Sequence, residues 1–367
     1  MNKQIPIAKP IIGKDEIDEV VRVLKSGELS QGKWVERFED EFAKEFKTKY
    51  AIAVSNGTTA LHLALLSLDL KSGDEVITTP FTFMASTNAI LYVGAKPVFV
   101  DIDPKTFNID PRLIEEKITS KTKAILPVHL FGLPSDMNRI LKIAKKHKLY
   151  VIEDAAQAHG AKIGKQIVGS FGDLAIYSFY PTKNMTTGEG GMITTNNKNL
   201  ARKIKMLRNH GMEKRYHHDI LGYNFRMTNI QAAIGIHQLR KLKDFNRKRI
   251  ENAKFFTDNL KGVNSIRTPF TPEGFKHVYH QYTITVDGGK KVRDQLARYL
   301  SENGISTMIY YPIPIHSQKF IKEMFPGLKL RNADTISNKV ISLPIHPSIK
   351  KNSLRKITYS IINFFQK

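Results

Sequence analysis

Through the first half of the chain, short apolar runs alternate with segments of helical spacing. Residues 51–54, 76–79, 97–100, 124–128 and 150–152 read as strands, and 58–70, 82–93 and 136–147 between them read as helices. This alternation predicts βα units: an α/β fold with a mostly parallel central sheet covered by helices, which binds ligands at the carboxyl ends of its strands. Two closely spaced runs, 174–179 and 191–195, extend the sheet. Near the N-terminus Ile17, Val20, Val21 and Leu24 share one helical face, and Gly27 is placed to cap that helix. A long helical pattern runs from about Thr228 to Leu260. Beyond Gly262 the pattern changes to a strand at 280–286, a helix at 292–303, a short strand near 305–310 and a terminal helix from Leu354. The chain therefore divides into a large domain, residues 1–245, and a smaller C-terminal α+β domain, residues 246–367.

Length agrees with two domains, because 367 residues exceed the roughly 250–300 at which one core stops growing. Cysteine is absent, which excludes disulfides, thiolate metal sites, thiol nucleophiles and iron–sulfur clusters. Residues 1–10 lack an apolar signal core and no run approaches the ~18 apolar residues of a membrane span, so a cytoplasmic protein with no membrane partner is expected. Lys and Arg outnumber Asp and Glu by 57 to 34, a net charge of +23. These charges are scattered, and their densest run, 240–249, lies inside a helical pattern. They read as a solvated basic surface that favours anionic small substrates, not as a nucleic-acid face.

Three motifs could carry chemistry. The first is Ser55-Asn56-Gly57-Thr58-Thr59, after a strand and opening a helix. Free N–H groups and the positive end of a helix dipole make such a start a phosphate site, although an Asn-Gly turn with a Thr cap explains it equally. The second is the acidic pair Glu153-Asp154 at a strand end. An Asp there could pair with a cationic ring nitrogen, ligate a metal, or cap the next helix. The third is Lys183, just past a strand and before Gly188-Glu189-Gly190-Gly191. Glycines let a cofactor approach closely, and desolvation would free the lysine amine for covalent chemistry. Pyridoxal phosphate requires all three groups: N–H donors for its phosphate, an anion for its ring nitrogen and an amine for its aldehyde. Phe83, in Pro80-Phe81-Thr82-Phe83, adds an aromatic at a strand end that could stack on the ring or belong to the core.

At these residues, and at Pro127–Gly132, 207–211 and Gly222-Tyr223-Asn224-Phe225-Arg226-Met227, the chain resembles the DegT/DnrJ/EryC1/StrS sugar aminotransferases, nearly end to end. The resemblance implies a fold-type-I pyridoxal-phosphate transferase, with pyridoxamine phosphate as the intermediate form of the cofactor. It implies that Lys183 binds the cofactor covalently and shuttles protons, that Asp154 keeps the ring nitrogen protonated, and that Gln157 hydrogen-bonds the phenolic oxygen. Phe83 would stack on the ring, while Gly57, Thr58 and Ser178 would hold the phosphate. Asn224 would reach the cofactor of a neighbouring subunit, making a homodimer with shared sites, and Arg226 could share that role. His316, in Tyr311-Pro312-Ile313-Pro314-Ile315-His316, is expected beside the substrate, or as an ordinary surface histidine. The activity implied is amino transfer, from glutamate, to a nucleotide-linked keto-deoxysugar for polysaccharide biosynthesis. The turn 186–191 resembles members acting at C4 more than those acting at C3. Alternatives are an aminotransferase for a free ketone such as an inosose, a non-catalytic cofactor-binding regulator, a basic nucleic-acid binder, and the family's sugar dehydratase branch. Lys183 argues against the last, which carries His at that position. His217-His218-Asp219 could ligate a metal, but nothing nearby in the sequence completes a site.

Overall fold

The computed structural model describes residues 4–366. Strands in the first half are β1 (Tyr50–Val54), β2 (Glu75–Thr78), β3 (Lys96–Phe99), β4 (Thr122–Leu126), β5 (Tyr150–Asp154), the hairpin β6 (Lys162–Ile163) and β7 (Gln166–Ile167), β8 (Leu174–Ser178) and β9 (Gly191–Thr195). Helices α1 (Lys14–Ser26), α2 (Lys33–Phe46), α3 (Gly57–Ser67), α4 (Ala85–Tyr92), α5 (Met137–His147) and α6 (Lys198–Arg208) are interspersed. A small hairpin, β10 (Met212–Lys214) and β11 (His217–His218), precedes the long α7 (Asn229–Leu260). The remainder comprises β12 (Ile266–Arg267), β13 (Phe275–Lys276), β14 (Tyr282–Val286), α8 (Gly289–Glu302), α9 (Lys319–Met324), α10 (Arg331–Ser337), β15 (Val340–Leu343) and α11 (Lys351–Gln366).

Seven strands form the central sheet in the order β1-β9-β8-β5-β4-β2-β3. Pairing is parallel from β8 to β3, whereas β9 runs antiparallel to both β8 and β1. The inner strands are buried along nearly their whole length because helices cover both faces. On one face α2 and the first half of α7 pack Phe38, Phe42, Ile236 and Leu239 against Tyr177 and Phe179. On the other, α3, α4 and α6 bury Leu61, Leu65, Ile90 and Ile204 against Ile52, Leu126 and Ile176. A third cluster joins the second half of α7 (Ala253, Phe256, Leu260) to β14, β15, α8 and α11. The division expected between residues 245 and 246 thus lies inside α7, a helix with one half in each of two cores. Residues 305–310 do not form the expected strand. They make only the isolated bridges Ile5↔Ile305 and Met308↔Ser342, while the unanticipated β15 takes the edge of β14.

Helix α1 ends at Gly27, whose φ of 71° is the left-handed cap conformation. Its orientation is unusual. An apolar helix stripe ordinarily faces the core, yet Ile17, Val21 and Leu24 are exposed and only Val20 of that face packs partly buried against the core, while Glu16, Glu19 and Val23 are buried. Glu16 accepts from Lys241 Nζ (2.7 Å), Gln238 Nε2 (2.8 Å) and the Gly13 N–H (2.9 Å), and Glu19 from Trp34 Nε1 (2.8 Å).

Candidate active site

Two turns at the carboxyl ends of sheet strands build a cup. Asn56 caps α3 by accepting the Thr59 N–H at 2.9 Å, which leaves the Gly57 and Thr58 N–H groups at the positive end of the helix without intrahelical acceptors. Only glycine fits at 57, since a Cβ there would lie 2.8 Å from Ser178 Cβ. Gly57, Thr58 and Ser178, from opposite ends of the sequence motif set, are therefore neighbours around one small space.

The acidic pair at the end of β5 splits by strand alternation. Glu153 is fully buried and accepts four hydrogen bonds: from the Gly169, Phe171 and Gly172 N–H groups, each at 2.8 Å, and from His129 Nε2 at 3.0 Å. The Ser135 N–H donates to His129 Nδ1 at 2.9 Å, which leaves the ring proton on Nε2, facing Glu153. Asp154 points to the other side. It accepts from Ser86 Oγ (2.8 Å) and the Ala156 N–H (3.1 Å). Burial raises the Asp154 carboxyl above its ordinary range, opposed by those two donors and by the charge of Lys183. A cationic ring nitrogen at that carboxylate would act in the same direction as the donors.

Lys183 follows β8, and burial lowers its ammonium to about 8, against the pull of Asp154. Its loop is held from α7: the Asn184 amide donates to Asn246 Oδ1 at 2.8 Å, Asn246 donates to the His159 carbonyl at 2.7 Å, and Gln238 Oε1 accepts the Thr186 N–H at 3.3 Å. Phe83 is 61% exposed, its ring free on one side and 6.5 Å from that of Tyr311 on the other. Gln157 Oε1 accepts the Phe131 N–H at 2.8 Å, and its amide nitrogen lies 3.2 Å from the Tyr311 hydroxyl, with one N–H to spare.

The other anticipated residues come from later segments of the chain. Asn224 is exposed on a segment that runs beside the end of β1, pairing with Asn209 and, through Arg226, with Val54. Arg226 is half-buried and donates to Asn209 Oδ1 at 2.8 Å. His316 is buried, with Nε2 3.0 Å from Asp334 Oδ1 on α10. Ser86 and Tyr311 were not singled out from the sequence. Ser86 sits one turn beyond Phe83, a spacing that could have flagged it, whereas Tyr311 reaches Gln157 across 154 residues, a contact that no local pattern encodes.

A helix N-terminus with adjacent hydroxyls, a buried carboxylate, a lysine partly deprotonated at neutral pH and an exposed aromatic ring fit one group: pyridoxal phosphate. Gly57, Thr58 and Ser178 could hold its phosphate, Asp154 its ring nitrogen, Phe83 its ring face and Lys183 its aldehyde carbon.

The DegT/DnrJ/EryC1/StrS aminotransferase family model matches residues 10–362. The GDP-perosamine synthase of Escherichia coli O157:H7 is 39% identical, over 99% of this chain and 99% of its own. The UDP-N-acetyl-3-dehydro-alpha-D-glucosamine 3-aminotransferase of Acidithiobacillus ferrooxidans is 41% identical, over 94% and 92%. Among solved structures, DesV of S. venezuelae in complex with a ketimine intermediate superposes with a TM-score of 0.96, at 34% identity and 100% coverage of both chains.

Proposed function

We propose that this chain, which belongs to the DegT/DnrJ/EryC1/StrS aminotransferase family, moves an amino group from glutamate to a nucleotide-linked keto-deoxysugar. It is a pyridoxal-phosphate-dependent sugar aminotransferase. The observation that carries the residue assignment is the convergence of Lys183, Asp154 and the Gly57–Ser178 cup at the carboxyl ends of one sheet. Nucleotide-sugar relatives covering nearly the whole chain support the substrate class.

Pyridoxal phosphate, when bound, supplies the electron sink that makes a carbon-bound proton labile. This chain's residues do the rest. Lys183, with its amine partly neutral, would hold the cofactor at its aldehyde carbon and would serve as the base that takes up and returns the labile proton. Asp154, oriented by Ser86, stabilises positive charge on the ring nitrogen. Gln157 directs its spare N–H at the phenolic oxygen, Phe83 covers one ring face, and Gly57, Thr58 and Ser178 fix the phosphate. Asn224, exposed on its own subunit, completes the site of a second copy, so the working unit is a homodimer. Arg226 is a secondary candidate for a substrate or cofactor contact.

The turn 186–191 favours a 4-keto sugar. A 3-keto sugar is the second reading, because the Acidithiobacillus relative is named for 3-amination. The test is mass spectrometry of products after the holoenzyme is given glutamate and a panel of 3-keto and 4-keto nucleotide sugars. Amination of a nucleotide sugar with conversion of glutamate to 2-oxoglutarate supports the reading; amination of a free inosose alone overturns it.

A further inference from the structure

Tyr311 lies beyond α8, in the segment 305–318, yet it reaches the turn that carries Phe83. Two backbone ties hold that segment in place. Met308 and Ser342 of β15 exchange hydrogen bonds at 2.8 and 3.2 Å, and the Ile315 N–H donates to the Pro80 carbonyl at 2.8 Å. Between these ties the Tyr311 ring meets Phe81 edge-on at 6.1 Å and Phe83 at 6.5 Å. Its hydroxyl oxygen lies 3.2 Å from Gln157 Nε2.

Gln157 is buried, and its partners fix which end of the amide points where. The Phe131 N–H can only donate, so Oε1 faces it and Nε2 faces Tyr311. An amide nitrogen does not accept, so the Tyr311 oxygen takes one of the two Nε2 hydrogens. In a planar amide held at both ends, the direction of the second hydrogen is then set as well. Burial, with Asp154 and Tyr310 acting in the same direction, holds the Tyr311 hydroxyl protonated well above its ordinary range. It stays neutral at working pH and does not compete with Lys183 as a base.

We infer that Tyr311 is a positioning residue: by accepting one N–H of Gln157 it locks the amide plane and keeps the second N–H on the phenolic oxygen of the cofactor. This rests on the assignment of pyridoxal phosphate to the site. An N–H at the phenolic oxygen stabilises negative charge there, so the lysine-bound cofactor holds its proton less tightly. Without the Tyr311 oxygen the amide is free to turn, the donation weakens, and the proton is held to higher pH.

The absorbance of the lysine-bound cofactor, titrated with pH in the holoenzyme, tests this. Gln157→Leu should raise the titration midpoint by about 1–2 pH units, the size of one hydrogen bond to a charged acceptor. Tyr311→Phe, which removes a single oxygen, should raise it by about 0.5 pH unit. The double variant should titrate like Gln157→Leu alone, because Tyr311 acts only through that amide. Should Gln157→Leu fail to fold, Gln157→Met takes its place, and the Tyr311→Phe midpoint decides in either case. A merely structural role would lower the thermal midpoint of Tyr311→Phe without moving its titration. A Tyr311→Phe titration equal to wild type overturns the inference and leaves the cofactor assignment standing. Additive shifts in the double variant also overturn it, since the hydroxyl would then act on the cofactor directly. Wild-type protein without the band of lysine-bound cofactor would remove the assignment itself, and this inference with it.

Discussion

Glu153→Gln tests whether adjacent acidic residues on β5 divide the labour between folding and chemistry. The native carboxylate offers two oxygens to four donors: Phe171 and Gly172 N–H at one, Gly169 N–H and His129 Nε2 at the other. Glutamine has one oxygen. If it serves Phe171 and Gly172, its NH₂ faces Gly169 N–H and His129, donor against donor. A tautomer shift of His129 gives no relief, because a proton on Nδ1 would meet the Ser135 N–H. Two hydrogen bonds to a charged, fully buried acceptor are lost, each worth about 1.5–3 kcal/mol, so about 3–6 kcal/mol in all. With unfolding entropy near 2.1 cal/mol/K per residue, 367 residues give about 0.77 kcal/mol/K, and the thermal midpoint should fall by about 4–8 °C. Scanning calorimetry of the holoenzyme measures it. Asp154→Asn should show the opposite split: a midpoint near wild type, but turnover down roughly 10²–10³-fold, the size of losing one preorganised charge at a reacting group. Equal midpoints for Glu153→Gln and wild type would refute the division, as would full turnover in Asp154→Asn.

Four further outcomes are expected. Lys183 titrates at about 8, so about a quarter of its amine is neutral at pH 7.5, against about 0.1% for an ordinary lysine. Stopped-flow capture of pyridoxal phosphate by chain freed of cofactor should accelerate up to about pH 8 and level off above it; a rate still climbing tenfold per pH unit at pH 9.5 would contradict the burial effect. Lys183→Ala should still bind the cofactor through the Thr58, Ser178 and Asp154 contacts. It should lack the absorbance of lysine-bound cofactor and lose several orders of magnitude in turnover, and near-native activity would remove Lys183 from the mechanism. Gly57→Val places its Cβ 2.8 Å from Ser178 Cβ and should weaken cofactor affinity by roughly 5–150-fold, read by absorbance titration. Asn224→Ala mixed with Lys183→Ala should form heterodimers with one intact site and partial activity; no recovery after verified subunit exchange would mean that Asn224 does not act across the interface.

The local chemistry of the site is written in the sequence. A strand followed by Asn56-Gly57-Thr58 must present free N–H groups, because a helix start always does. The end of β5 must put one of two consecutive acids on each side of the sheet, because strand side chains alternate. Sequence order also determined the parallel sheet and the span of α7. Which acid faces the cleft was decided by partners far along the chain: Ser86, 68 residues before Asp154, and the Gly169–Gly172 N–H groups that claim Glu153. His316 shows the same dependence, since only the docking of α10 supplies Asp334. Helix α1 makes the reason plain. Periodicity states which residues share a face, and Ile17, Val21 and Leu24 do share one. Which face meets the protein depends on the opposing surface. Here α7 and α2 offer Lys241, Gln238 and Trp34, whose hydrogen bonds draw in Glu16 and Glu19 and leave most of the apolar stripe outward. A sequence fixes its own periodicity but not the donors that folding brings to meet it.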